Sequence, residues 1–114
     1  MVGKKKILIL TGAGVSAASG IPTFRDQDGF WKKKYVYAGE SDPQRICTKS
    51  FFAENPEANW RWHLDFYRIL ARPEVKPNAA HFAIRDLQEH CIQSSGKGKV
   101  DSFLVTQNID NLHN

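Results

Sequence analysis

Gly12-Ala13-Gly14-Val15-Ser16-Ala17 is the most specific indication of the fold in this 114-residue chain. It follows the apolar run Ile7-Leu8-Ile9-Leu10, which is typical of a strand buried on both faces of a parallel sheet. The stretch matches the pattern G-x-G-x-x-A, which between a strand and a helix is typical of a dinucleotide-binding turn. There the first glycine permits a tight bend, the second lets backbone approach a diphosphate, and the alanine lets the helix pack closely. A glycine-rich turn that binds no ligand is the alternative.

The segment after this turn predicts a short helix and a long loop. The helix should run from near Gly14 to Ser19, with Gly20 as its stop. From residue 20 to about 38 the chain is rich in Pro, Gly, Asp and Lys, and loops of that length are usually functional or disordered. No acidic residue ends a second strand about 20 residues on, so a plain dehydrogenase half is not indicated.

The remainder of the chain predicts helices and then a second strand. Asn55 and Pro56 favour a helix start, and the helix should run to about Leu70. It carries two neighbouring apolar stripes, Trp60, Leu64 and Tyr67 on one and Trp62, Phe66 and Ile69 on the other. Asn78 should cap a further helix, whose buried stripe would be Ala80, Ile84, Leu87 and Cys91. Phe103-Leu104-Val105 predicts the second buried strand. The fold class is therefore α/β, with a partial Rossmann-like parallel sheet and flanking helices.

Composition restricts the class of protein. Hydrophobic residues make up 41% and charged residues 25% of the chain, which indicates a globular domain, and 114 residues allow one domain at most. The net charge of +4 comes largely from Lys4–Lys6 and Lys32–Lys34, which are short runs that we expect to be solvated, so nucleic acid is not an expected partner. Cys47 and Cys91 form no metal-ligand pattern, and no metal site is predicted. Without a signal peptide or an apolar span, we expect an intracellular protein of cytoplasm or nucleus, neither secreted nor membrane-bound.

Polar side chains with a chemical role concentrate in the glycine turn, the loop and the last residues. Ser16 and Ser19 have hydroxyls suited to ribose or phosphate, although bonds to local backbone are the alternative. Arg25 suits a phosphate and Phe24 could exclude water, unless this is an ordinary surface loop. The second strand leads into Thr106–Asn114, which would deliver polar side chains to the same ligand.

Two stretches of the chain resemble the signatures of the sirtuin family. Gly12 through Arg25 is similar to G-A-G-x-S-x-x-S-G-I-P-x-F-R, and Thr106 through His113 is similar to T-Q-N-I-D-x-L-H. Pro77-Asn78-Ala79-Ala80-His81 is similar to the helix start that precedes that strand in many sirtuins. The resemblance spans nearly the whole chain. It implies an NAD-dependent protein-lysine deacylase, or deacetylase, that transfers the acyl group to ADP-ribose and releases nicotinamide.

The resemblance also implies roles for individual residues. Gly12, Ala13 and Gly14 would lie under the diphosphate, and Ser16 would face the cofactor. The flexible cofactor-binding loop would include Thr23, Phe24 and Arg25 and reach to Trp31. Gln107 and Asn108 would hold the nicotinamide-side ribose, while Asp110 and the Ile109 backbone would hold the nicotinamide carboxamide.

The family pattern has parts that these residues do not supply. The general-base histidine is expected beyond Asn114, and His81 and His113 are interpreted as structural histidines. The zinc module and the rest of the sheet belong to full-length relatives, so residues 1–114 are expected to form a partial NAD-binding domain without turnover. A non-catalytic NAD or ADP-ribose binding module and an unstable truncated fragment are the alternatives. In the full-length family the partners are NAD and an acyl-lysine protein.

Overall fold

A computed structural model describes residues 4–23, 25, 36–94 and 98–114 of the chain. These residues form two compact units, one of Met1–Ser19 and Lys76–Asn114 and the other of Gly20–Val75. The first unit contains a two-stranded parallel sheet with helices beside it, and the described residues of the second form helices and an isolated bridge. The predicted α/β class with a parallel sheet is confirmed.

The sheet of the first unit pairs strand β1, Lys5–Thr11, with strand β2, Val100–Thr106. Leu8 lies opposite Phe103 and Leu10 opposite Val105, so the apolar side chains of one face are in register. At the end of β1, helix α1 spans Ala13–Ser16 and continues as a 3-10 turn, Ala17–Ser19. Gly20 follows with a φ of 89°, a left-handed conformation that favours glycine and ends the helical segment.

Burial on both faces of the sheet, which the apolar runs predict, is wrong for the described residues. Leu8, Leu10, Phe103 and Val105 are each 50 to 70% exposed. Ile7, Ile9 and Leu104 alternate with them along the strands and are half-buried. Because successive side chains of a strand point to opposite faces, one face of the sheet is partly covered and the other is open.

The helix before β2 spans Ala79–Gln93 and packs against β2. It is named α5, because helices α2 to α4 belong to the second unit and precede it in the chain. Its predicted cap is confirmed, since Asn78 Oδ1 accepts a hydrogen bond of 2.9 Å from the Ala80 N–H. The predicted stripe is only partly buried. Cys91 is 3% exposed, as expected of a small core residue, whereas Leu87 is 41% exposed. Of the four residues of the predicted stripe, Cys91 alone is buried, and Ile84 is half-buried.

The second unit contains helices α2, Pro43–Ile46, α3, Lys49–Glu54, and α4, Pro56–Leu70. The bounds of α4 match the prediction from Asn55, Pro56 and Leu70. The two short helices were not predicted from the sequence, although both have ordinary caps. Asp42 accepts from the Gln44 N–H at 3.0 Å, and Thr48 accepts from the Phe51 N–H at 3.2 Å.

Only one of the two apolar stripes of α4 is buried. Trp62, Phe66 and Ile69 are no more than 9% exposed, and the Trp62 and Phe66 rings stack with centroids 5.3 Å apart. Trp60, Leu64 and Tyr67 are 52 to 61% exposed. The periodicity of the sequence predicted that both stripes are apolar and did not distinguish between them. In the described part of the chain, other side chains pack on one stripe only.

The predicted loop from 20 to about 38 is described only at its two ends, and Lys32–Lys34 lie outside the described residues. At its second end, Tyr37 pairs with Glu40 in an isolated bridge. The Tyr37 hydroxyl donates a 2.7 Å hydrogen bond to Asp65 Oδ2 on α4. This bond holds the end of the loop against the long helix of the second unit.

Candidate functional site

Polar side chains meet where β1 and β2 end. Thr11 and Thr106 are register partners at the carboxyl ends of the strands, and Thr11 Oγ1 donates to Thr106 Oγ1 at 2.8 Å. The Gln107 N–H then donates to the Thr11 carbonyl at 3.0 Å. Because the strands are parallel and end together, the Gly12–Ser16 turn and the segment after Thr106 leave the sheet at one edge. In open α/β sheets this edge is where ligands bind.

Asn108 connects the second segment to the glycine turn. Its side-chain Nδ2 donates to the Gly12 carbonyl at 2.8 Å, and its backbone N–H donates to Thr106 Oγ1 at 3.1 Å. The Gly12 carbonyl also accepts from the Val15 N–H at 3.2 Å. The position of the turn therefore depends on the amide of Asn108 as well as on its own helix.

Ser16 connects the turn to Asp110. Its side chain is 1% exposed, and its hydroxyl donates to Asp110 Oδ2 at 2.6 Å. The other carboxylate oxygen, Oδ1, accepts from the Leu112 N–H at 3.0 Å. Ser16 thus bonds a side chain 94 positions away, and Asp110 is held through both of its oxygens. The Ser16 hydroxyl therefore donates to a distant side chain and not to the local backbone.

Two histidines lie beside this cluster, with ring centroids 4.9 Å apart. Thr11 donates its hydroxyl proton to Thr106, so it accepts from Nε2–H of His113, which lies 2.9 Å away. His81 Nε2 lies 3.4 Å from Ser16 Oγ. Burial lowers the pKa of His81 below its usual 6.5, the nearby His113 acts in the same direction, and Asp110 opposes them.

The backbone of the glycine turn leaves room for a ligand. Gly12 has φ −142° and ψ −161°, an extended conformation open to other residues, so the bend itself does not require glycine. A Cβ added at Gly12 or Gly14 would meet no heavy atom of the described residues within 4 Å. The open space over both residues lets a diphosphate approach the main chain, as the G-x-G pattern predicts.

The structure brings together most of the residues predicted for the site. Ser16, Asn108 and Asp110 are joined to the glycine turn by hydrogen bonds, directly or through one another. Ala13, Gly14, Gln107 and Ile109 are exposed at the same edge of the first unit.

The predicted residues of the loop belong to the second unit or lie outside the described residues. Thr23, which is half-buried, and Arg25, which is exposed, belong to the second unit. Phe24 and Trp31 lie outside the described residues.

Asn78 is a residue of this site whose role was not predicted from the sequence. Its Nδ2 donates to the Val15 carbonyl at 2.8 Å and to Ser19 Oγ at 2.9 Å, in addition to the cap of α5. Its backbone N–H donates to Nδ1 of His81 at 3.0 Å, which completes a capping box. The signal for this pair was the spacing N-x-x-H at a predicted helix start.

No metal site is evident in the described ranges 4–23, 25, 36–94 and 98–114, because no three His, Cys, Asp or Glu side chains there are placed so that they could hold a metal ion. Cys47 belongs to the second unit and Cys91 to the first. The chain has two cysteines, fewer than the four thiolates of a cysteine zinc site. In the same ranges no helix has the length and apolar character that a membrane crossing needs.

Comparison with known proteins identifies similar chains. The model of the Sir2 family matches residues 12–114. An NAD-dependent protein deacylase of Rhodopirellula baltica is 45% identical over 107 residues, which are 94% of this chain and 41% of the relative. One of Thermus thermophilus is 40% identical over 109 residues, 96% of this chain and 38% of the relative. The chain thus spans about two fifths of the length of these curated relatives.

Proposed function

Because the chain belongs to the Sir2 family, we propose that its first unit is the NAD-binding part of an NAD-dependent protein deacylase. One observation carries this proposal: the 2.6 Å bond between Ser16 and Asp110 joins the two motif stretches at the carboxyl edge of a parallel sheet. Such an edge, with open space over Gly12 and Gly14, suits a dinucleotide.

In this proposal the main chain of the glycine turn binds the diphosphate. Gly12, Ala13 and Gly14 would lie under it, where the first N–H groups of a helical segment have no intrahelical acceptor and attract an anion. Gln107 is exposed and Asn108 is half-buried at the same edge, and both would hold the nicotinamide-side ribose.

Asp110 and the Ile109 backbone would hold the nicotinamide carboxamide. Each oxygen of the Asp110 carboxylate already accepts one hydrogen bond, from Leu112 or from Ser16. A carboxylate offers about four lone-pair positions, so it retains capacity for the carboxamide N–H group. Held at both oxygens, it would meet the ligand without first having to be ordered, which favours binding.

The loop residues Thr23, Phe24, Arg25 and Trp31 would complete the site on the cofactor. Arg25 is exposed and would reach a phosphate, and Phe24 would exclude water from the reacting sugar. NAD supplies the chemistry of the family reaction, which releases nicotinamide and transfers an acyl group from protein lysine to ADP-ribose.

The 114-residue chain itself is proposed to bind NAD without turning it over. Of its four histidines, His81 and His113 are engaged in the hydrogen bonds described above, and His63 Nδ1 lies 2.8 Å from the Asn59 carbonyl on α4. His90 is exposed on α5, away from the carboxyl ends of the strands. We therefore propose none of them as the general base, and zinc is proposed only for full-length relatives.

A thermal melt of the purified chain with and without NAD or ADP-ribose tests this function. A ligand that binds only the folded state should stabilise it by about 2.7 kcal/mol at a hundredfold excess over its dissociation constant. The matched variant Gly14→Val should melt no lower than wild type, because its side chain enters open space in a helical turn, yet its melt should not shift with ligand. A wild-type melt that neither ligand shifts would contradict the proposal, and an equal shift in Gly14→Val would contradict the placement of the diphosphate.

A further inference from the structure

The direction of the hydrogen bonds around His81 follows from one backbone amide. The His81 side chain is 4% exposed, and its Nδ1 accepts from the Asn78 N–H at 3.0 Å. A ring nitrogen that accepts a hydrogen bond carries no proton, so a neutral imidazole here must carry its proton on Nε2. The capping box at the start of α5 therefore selects the tautomer.

This tautomer in turn determines the direction in which the Ser16 hydroxyl donates its proton. Nε2 of His81 lies 3.4 Å from Ser16 Oγ and, being protonated, donates to it. Asn108 Nδ2 also donates to Ser16 Oγ at 3.4 Å. A hydroxyl has two acceptor positions and one proton, so with both acceptor positions used the proton is directed to Asp110 Oδ2, 2.6 Å away.

The opposite tautomer of His81 would be incompatible with these hydrogen bonds. With its proton on Nδ1, His81 would face the Asn78 N–H with a second donor, and its bare Nε2 would compete with Asp110 for the single proton of Ser16. Two acceptors would then share one donor in a buried cluster, which is costly. The arrangement of these side chains is therefore consistent with only one assignment of donors and acceptors, in which His81 donates to Ser16 and Ser16 donates to Asp110.

We propose that His81 is a positioning residue, which acts through Ser16 to orient the Asp110 carboxylate for the carboxamide of a nicotinamide ring. This inference rests on the proposed function, since it assumes that Asp110 meets the nicotinamide end of NAD. His81 itself touches no ligand atom in this arrangement. Its effect should therefore appear in the binding of NAD and be absent from the binding of ADP-ribose, which lacks nicotinamide.

Two substitutions separate this role from the helix cap. In His81→Asn the side-chain oxygen takes the place of Nδ1 and keeps the Asn78 bond, but the donor to Ser16 is lost. In His81→Gln the amide nitrogen takes the place of Nε2 and keeps the donor, but the acceptor for Asn78 is lost. His90→Asn, at an exposed position of the same helix, is the matched control.

Titration calorimetry of the whole chain with NAD and with ADP-ribose gives the readout. We expect His81→Asn to weaken NAD binding roughly tenfold while ADP-ribose affinity stays at the wild-type value, because one bond to a charged group is no longer directed. His81→Gln should restore the wild-type ratio of the two affinities, and His90→Asn should not change it. A wild-type ratio in His81→Asn, or equal losses for both ligands, would overturn the inference.

A wild-type chain that binds neither ligand would instead overturn the proposed function, so the two failures are distinct. If the variants do not fold, the tautomer of His81 can be measured in the wild-type chain instead. Nitrogen-15 spectra of the His81 ring should show the proton on Nε2 and a bare Nδ1. A proton on Nδ1 would contradict the inference.

Discussion

At the scale of the residue, His81 makes the stability of the chain depend on pH. Burial lowers the pKa of the folded imidazole below 6.5, helped by His113 and opposed by Asp110, the charged groups that face it. Between the folded pKa and 6.5 the unfolded chain binds more protons, so the free energy of unfolding rises with pH in this interval. The contribution of a neutral His81 to the free energy of unfolding is fully present above pH 6.5, and it should fall as the pH drops towards the folded pKa. Urea denaturation at a series of pH values from about 7 to about 5 measures this slope. In His81→Asn, which lacks the titrating ring, the slope should be smaller, and an unchanged slope would show that another group causes it.

At the scale of the element, Asn78 determines how helix α5 joins the glycine turn. Its Oδ1 caps the helix, and its Nδ2 donates to Val15 and Ser19 of the preceding helical segment. Asn78→Ala should lose about 2 kcal/mol of unfolding free energy, because the cap is removed and buried acceptors lose their donor. Asn78→Asp keeps the cap oxygen but loses the donors, so it should lie between the alanine variant and wild type. Denaturation midpoints give the order, and an aspartate variant as stable as wild type would show that the bonds to Val15 and Ser19 contribute nothing. Thr48→Ala, at the exposed cap of α3, should cost under about 1 kcal/mol and serves as the control.

At the scale of the whole molecule, the open sheet face should make the chain self-associate. Leu8, Leu10, Phe103 and Val105 are aligned in pairs across the two strands and are half or more exposed. A contiguous exposed apolar surface beside unpaired strand edges is a common cause of association. Sedimentation velocity of the purified chain should show a mean mass that increases with concentration. Leu10→Thr with Val105→Thr should weaken this increase, whereas Leu64→Gln, at an exposed apolar position of α4, should not change it. A chain that stays monomeric at every concentration would contradict the expectation.

The local signals of the sequence predicted the elements that they directly specify. The apolar runs gave two strands that pair in parallel, and Asn55, Pro56 and Asn78 marked the starts of α4 and α5 correctly. Caps and buried runs are properties of neighbouring residues, so they are visible without tertiary structure. The short helices α2 and α3 were not predicted, because elements of four and six residues show too little periodicity.

The α/β class, the family and the two stretches that form the candidate site could all be predicted from the sequence. Which apolar side chains are covered depends on tertiary packing, since Trp60 and Trp62 have the same character and differ in what packs on them. Tertiary packing also decided that Ser16 meets Asp110 and that His81 lies behind Ser16. A hydrogen bond between residues far apart in the chain depends on how strands and helices pack, and no local pattern contains that distance. The pairing of β1 with β2 brings these side chains together.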